Sequence, residues 1–229
     1  MNKRQIFAYG GQVVKEYVEY TIQLTGKARP KVCFLPTAMG DNDTYIEYFH
    51  QLCKGLPVDP YVQKVWISTY SQSASFEEVL MGMDAIIVGG GNTLNMIALW
   101  KAQEIDKVLY KAYQNGTVLA GGSAGSLCWF NGGTTDSRPG KLTNIEGLKF
   151  LDFSHCPHYH SEASRRPLYH QNILNRSLTD GYACDDFAGI LFVNEQVEEA
   201  ISLDGENNSY FLQLKDGKIH EEQLPSRLI

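Results

Sequence analysis

No stretch of the chain carries five like charges in a row and the formal net charge is −6, so neither nucleic acid nor an anionic membrane surface is expected as a partner. Long hydrophobic runs are missing as well. Behind Met1-Asn2-Lys3-Arg4 the apolar segment is only Ile6-Phe7-Ala8-Tyr9, too short for a secretory core and far too short for a bilayer span, and it reads as a first core strand. The five cysteines (Cys33, Cys53, Cys128, Cys156, Cys184) are odd in number and form no Cys-x-x-Cys pair. That excludes a disulfide framework and points to a reducing, cytoplasmic setting. Nucleotide signatures are also lacking, because Leu94 breaks a Gly-x-Gly-x-x-Gly reading of Gly89-Gly90-Gly91-Asn92-Thr93 and no Gly-Lys-Ser/Thr follows. There is no internal repeat, low-complexity segment or linker rich in Pro, Gly or Ser, so residues 1–229 are read as a single domain.

What the chain does have is alternation. Short apolar runs (Ile6 to Tyr9, Lys31 to Leu35, Val65 to Ile67, Asp84 to Val88, Thr117 to Ala120) take turns with helix-period stretches (Val13 to Leu24, Thr44 to Leu52, Phe76 to Met81, Leu94 to Tyr113). Unbroken apolar strands are buried on both faces, and parallel strands need helical crossovers. The expected fold is a doubly wound, mostly parallel α/β sheet with helices on both faces. Beyond residue 183 the texture changes to strands and turns (Ile190 to Val193, Glu199 to Ser202, Tyr210 to Leu214), with an Asp216-Gly217 turn marking a C-terminal hairpin region.

The fifth apolar run ends in Gly121-Gly122-Ser123-Ala124-Gly125, followed by the apolar Leu127-Cys128-Trp129-Phe130. A serine between small residues, at a strand-to-helix turn, is the pattern of a nucleophile elbow. Ordinary turn chemistry also selects Gly, Ser and Ala, so the five residues do not decide the matter alone. The Gly89 to Thr93 loop follows a neighbouring strand and belongs to the same sheet end, where α/β sheets bind ligands. Two readings of it stand side by side: a tight turn with Asn92 as helix N-cap, or a loop whose Gly91 amide joins that of Ala124 in an oxyanion hole.

A serine nucleophile needs a base, and six histidines are available. His50 and His220 sit among polar residues and His170 lies in no motif, whereas His155-Cys156-Pro157-His158-Tyr159-His160 gathers the other three. On an extended segment only Cys156, His158 and His160 share a face, and no acidic pair flanks them at helical spacing, so a single histidine base is preferred to a metal site.

Taken together, Gly89-Gly90-Gly91-Asn92-Thr93, Gly122-Ser123-Ala124-Gly125, Thr134-Thr135-Asp136 and Pro157-His158-Tyr159 resemble the peptidase E family of serine peptidases, the aspartyl dipeptidases related to cyanophycinases. The resemblance runs from the first strand to about residue 200. It implies a fold like that of class I glutamine amidotransferases with serine in place of cysteine, and no metal or organic cofactor. It assigns the nucleophile to Ser123, the base to His158, the oxyanion amides to Gly91 and Ala124, and the supporting carboxylate to Asp136, with Glu162 and Asp152 as substitutes. It further implies a small peptide substrate, chiefly a dipeptide with N-terminal Asp, bound by Asn92 and by Arg165 or Arg166, since a guanidinium fork suits a carboxylate. A homodimer is a family expectation only. Two other readings stay open: an α/β-hydrolase-type esterase using Asp204 and His220, and an inactive binding module on the same scaffold.

Overall fold

A computed structural model describes residues 3–67 and 74–229; Met1 and Asn2 of the N-terminal reading lie outside these. The first half runs β1 (Gln5–Tyr9), α1 (Lys15–Leu24), β2 (Lys31–Leu35), α2 (Asp43–Leu52), β3 (Asp59–Val62), α3 (Phe76–Met81), β4 (Ala85–Val88), α4 (Thr93–Ala102), α5 (Ile105–Gln114) and β5 (Val118–Gly122). The second half continues α6 (Ala124–Leu127), β6 (Phe130–Thr135), β7 (Thr143–Glu146), β8 (Leu151–Cys156), α7 (Arg165–Leu174), β9 (Gly181–Cys184), β10 (Ala188–Val193), β11 (Gln196–Ser202), β12 (Ser209–Lys215), β13 (Lys218–Gln223) and β14 (Ser226–Leu228).

The strands form two sheets. One has eight strands in the order β14-β11-β10-β1-β5-β4-β2-β3, parallel from β1 through β3, with β10 antiparallel to both β1 and β11. Its central strands are buried throughout, which is why they read as unbroken apolar runs. The other has six strands in the order β13-β12-β9-β8-β6-β7, of which β6, β8 and β9 run parallel. One continuous core runs between the sheets, carrying Ile6 and Leu119 from the first and Phe130, Leu151 and Tyr182 from the second.

The mixed α/β architecture agrees with expectation, and the second sheet is its main addition. Two local differences have physical reasons. The stretch from Leu94 to Tyr113 is two helices, because Glu104 takes a left-handed φ of 59° at the break. The third parallel strand is β3 at Asp59–Val62 rather than Val65 to Ile67, whose backbone instead donates from Val65 and Trp66 to the Asp41 carboxylate. The Asp216-Gly217 turn is present, with both residues at positive φ, and joins β12 to β13 within the second sheet. Among the described residues no helix is long and apolar enough to cross a membrane.

Candidate active site

Ser123 stands between β5 and α6 with φ 52° and ψ −114°, a strained backbone for a residue bearing Cβ. Packing holds it there. The Ser123 amide donates to the Tyr9 carbonyl at 3.2 Å, and a Cβ on Gly125 would lie 2.2 Å from the Val88 carbonyl oxygen, so only glycine lets α6 press against the end of β4. The loop after β4 closes on the same point. A Cβ on Gly90 would come within 3.3 Å of the Ser123 Cβ, while Gly91, at φ 132°, backs onto the Ala38 carbonyl.

His158 reaches Ser123 from the second sheet. Its Nε2 lies 2.8 Å from Ser123 Oγ, and its Nδ1 lies 2.6 Å from Asp186 Oδ1. A carboxylate accepts only, so Nδ1 carries the ring proton and Nε2 presents its lone pair to the serine hydroxyl. Topology explains the juxtaposition. β8 and β9 are parallel neighbours with Cys156 opposite Ala183, so the residues just past both strands, His158 and Asp186, emerge at one sheet end. His158 itself turns at a left-handed φ of 55°.

Asp136 does not support His158 in this structure, and Asp186 takes that position. β6 flanks β8 on its other side, with Gly133 opposite His155, so Asp136 does leave the sheet level with His158. Its side chain is 70% exposed and faces Arg165 at 3.8 Å. The substitutes fare no better: Glu162 accepts from Arg165 Nε at 2.7 Å, and Asp152 accepts from Asn131. Asp186 belongs to no motif in the sequence. The signal that was available is the Asp185-Asp186 pair directly after β9, a strand flanking the one that ends before His158.

The proposed substrate contacts also move. Arg165 is 3% exposed, donating to the Thr134 carbonyl at 2.9 Å and to Glu162, which pins the start of α7 to the end of β6. Arg166 is half exposed and pairs with Glu221. The side chain of Asn92 caps α4, accepting from Asn95 N–H at 2.9 Å and donating to the Ser137 carbonyl. A cleft of about 560 Å³ opens beside Ser123 and His158, bordered by Gly90 and Gly91, and none of Asn92, Arg165 and Arg166 lines it.

The remaining histidines and cysteines are structural or solvated. His155 is fully buried, stacked on Phe130 at 4.4 Å, with Nε2 3.0 Å from Ser126 Oγ and Nδ1 3.1 Å from the Tyr182 carbonyl; burial pushes its pKa down to about 3. Burial likewise pushes the Cys156 thiol up to about 12, which removes it as a nucleophile. His160 pairs with Asp185, and no group of His, Cys, Asp and Glu able to hold a metal occurs among the described residues. Asp204 serves its own turn by accepting from the Glu206 and Asn207 amides, and His220 is an exposed residue of β13, so the esterase pairing is not assembled.

A strained serine on a strand-to-helix turn, hydrogen-bonded to an imidazole that is itself held by a carboxylate, is the constellation of a serine hydrolase on an α/β scaffold. Residues 8–200 match Peptidase family S51, and the chain belongs to that family. It is 41% identical over 211 residues to the uncharacterized peptidase YgaJ of Bacillus subtilis, covering 92% of this chain and 90% of that protein. The fold is shared with a peptidase from an acI-B1 actinobacterium (TM-score 0.73, 16% identity, 97% of this chain and 94% of that one). A putative peptidase E protein from Listeria monocytogenes EGD-e is similar too (TM-score 0.66, 20% identity, 88% of this chain and 100% of that one). The chain is therefore a peptidase of the serine type.

Proposed function

We propose that Ser123, His158 and Asp186 form the catalytic triad and that the protein hydrolyses small peptides through an acyl-enzyme. The observation that carries the reading is the unbroken hydrogen-bond chain from Ser123 Oγ through His158 to Asp186, at 2.8 and 2.6 Å. Ser123 Oγ adds to the scissile carbonyl as its proton passes to His158 Nε2, and the imidazolium is stabilised by Asp186. The C–N bond then breaks as His158 returns the proton to the leaving amine. Water, deprotonated by the same imidazole, cleaves the Ser123 ester and releases the acid. The oxyanion is assigned to the amides of Gly91, which borders the cleft, and of Ala124, the first residue of the helix after Ser123. A cleft of about 560 Å³ suits a ligand of dipeptide to tetrapeptide size rather than a folded protein.

A fluorophosphonate probe tests the chemistry directly. The purified protein is expected to take up one equivalent, lost in Ser123→Ala and strongly slowed in His158→Ala. Equal labelling of the Ser123→Ala variant would place the nucleophile elsewhere, and no labelling of the wild type would leave a non-catalytic binding module as the better account.

A further inference from the structure

The cleft beside Ser123 has the wrong chemistry for an acidic side chain. Apart from the catalytic pair and the glycines, its walls are Met39, Tyr45, Tyr48, Gln12, Asn42 and Thr44, with neither a cation nor a carboxylate among them. The arginines that would read an aspartate are committed elsewhere, Arg165 to Thr134 and Glu162 beneath the surface and Arg166 to Glu221. Residues 1–2 and 68–73, outside the described set, include neither Lys nor Arg. A carboxylate entering here would lose water and gain no counter-charge, which burial penalises heavily.

The apolar wall, by contrast, is held in place. Tyr45 sets its ring edge-on to Phe34 at 5.1 Å and accepts from the Gly90 amide through its hydroxyl at 3.2 Å; burial raises its pKa, so the phenol is neutral. Tyr48 donates to the Val13 carbonyl at 3.1 Å, and the two rings lie within 15° of parallel, 6.4 Å apart. Met39 is 51% and Tyr48 38% exposed, so apolar surface is waiting at the mouth of the cleft. Rigid aromatic faces bury a side chain at small entropic cost, and the thioether adapts to its shape.

We infer that this peptidase selects an uncharged apolar or aromatic side chain beside the scissile bond, seated against Tyr45, Tyr48 and Met39, and discriminates against aspartate. The inference rests on the assignment of Ser123 as nucleophile. It is tested on the full chain with X-Ala and Ala-X dipeptides, where X is Leu, Phe, Ala or Asp, alongside fluorophosphonate labelling. Leu or Phe is expected to exceed Asp at least tenfold in kcat/KM in one of the two series. Tyr48→Ala should raise KM for Leu and Phe substrates at least fivefold more than it raises KM for Ala-Ala. Met39→Arg, at an exposed position that tolerates the change in folding, should shift the Asp-to-Leu ratio of kcat/KM at least fivefold toward Asp. Labelling at Ser123 with Asp equal to or better than Leu and Phe overturns the preference and leaves the serine peptidase standing, as does labelling without cleavage of any Leu or Phe member. Absence of both labelling and hydrolysis overturns the nucleophile assignment and the preference with it.

Discussion

Replacing Asp186 by Asn separates the carboxylate seen at His158 from the one that the Thr-Thr-Asp motif suggests. The change keeps the shape of the side chain and removes its charge. Two outcomes at Nδ1 then compete. If the amide oxygen faces the ring, the proton on Nδ1 is retained and only the stabilisation of the imidazolium is lost. If the amide NH2 faces it, Nδ1 must accept, the proton moves to Nε2, and the base facing Ser123 disappears. A fully buried triad aspartate is worth about 10⁴ in kcat. Asp186 is one-third exposed, so solvent already shares in screening the imidazolium, and a loss of about 10²–10³-fold is expected, or roughly 2.7–4 kcal/mol at about 1.36 kcal/mol per decade. Asp136→Asn, altering a 70% exposed group 3.8 Å from Arg165, should stay within about threefold of wild type, as befits an exposed ion pair. Steady-state kcat and KM on the best dipeptide substrate, with unfolding midpoints recorded in parallel, decide the matter. Equal damage from the two variants, or a kcat for Asp186→Asn within about threefold of wild type, would refute the assignment.

His155 makes stability depend on pH. Its folded pKa, near 3, lies below the unfolded value of about 6.5, so between those pH values the unfolded chain binds a proton that the native state refuses, and this contribution to stability falls as pH drops through that window, by up to about 1.4 kcal/mol per pH unit. Urea midpoints measured from pH 7 to 4 should show the slope, and His155→Gln should flatten it relative to wild type; identical slopes would contradict the buried neutral imidazole. Gly125→Ala should cost about 1–3 kcal/mol or more and much of the activity, since the new Cβ meets the Val88 carbonyl at 2.2 Å, and a variant of normal stability and kcat would show the elbow to be more compliant than it is drawn. Arg165→Met should lower the unfolding midpoint by several degrees while leaving the ratio of Asp to Leu turnover unchanged, because the guanidinium ties α7 to β6 and does not line the cleft; a selective loss of Asp turnover would restore it as a specificity residue.

The parallel half of the large sheet was readable because each of its central strands is buried on both faces and its helices present one apolar side, so periodicity alone separates them. Ser123 and the Gly89 to Thr93 loop were readable for a related reason: close backbone approach leaves glycines at fixed offsets around one hydroxyl. The second sheet was readable only at its β12–β13 hairpin. Its strands β6 and β7 read Phe-Asn-Gly-Gly-Thr-Thr and Thr-Asn-Ile-Glu, polar and glycine-rich, because Gly132 and Gly133 must let the Ile145 and His155 carbonyls approach to about 2 Å of where a Cβ would sit. Composition of that kind looks like loop.

Missing that sheet is also what hid the carboxylate that meets His158. A motif records which residues lie near one another in the chain, whereas the partner of His158 is set by which strand pairs with β8 on the side toward which the imidazole turns. Asp136 and Asp186 leave the second sheet at the same end, one from β6 and one from β9, with β8 between them, so both are within a strand's breadth of His158 and register cannot choose. The choice is made by two local features. Arg165, buried at the start of α7, draws the Asp136 side of the sheet end into its own network with Glu162 and the Thr134 carbonyl. The left-handed turn at His158 coincides with a ring that meets the carboxylate on the β9 side. The same arginine thus explains two departures at once: held by β6 and Glu162, it is absent from the cleft that was expected to need it, and it leaves Asp186 as the carboxylate that holds the imidazole.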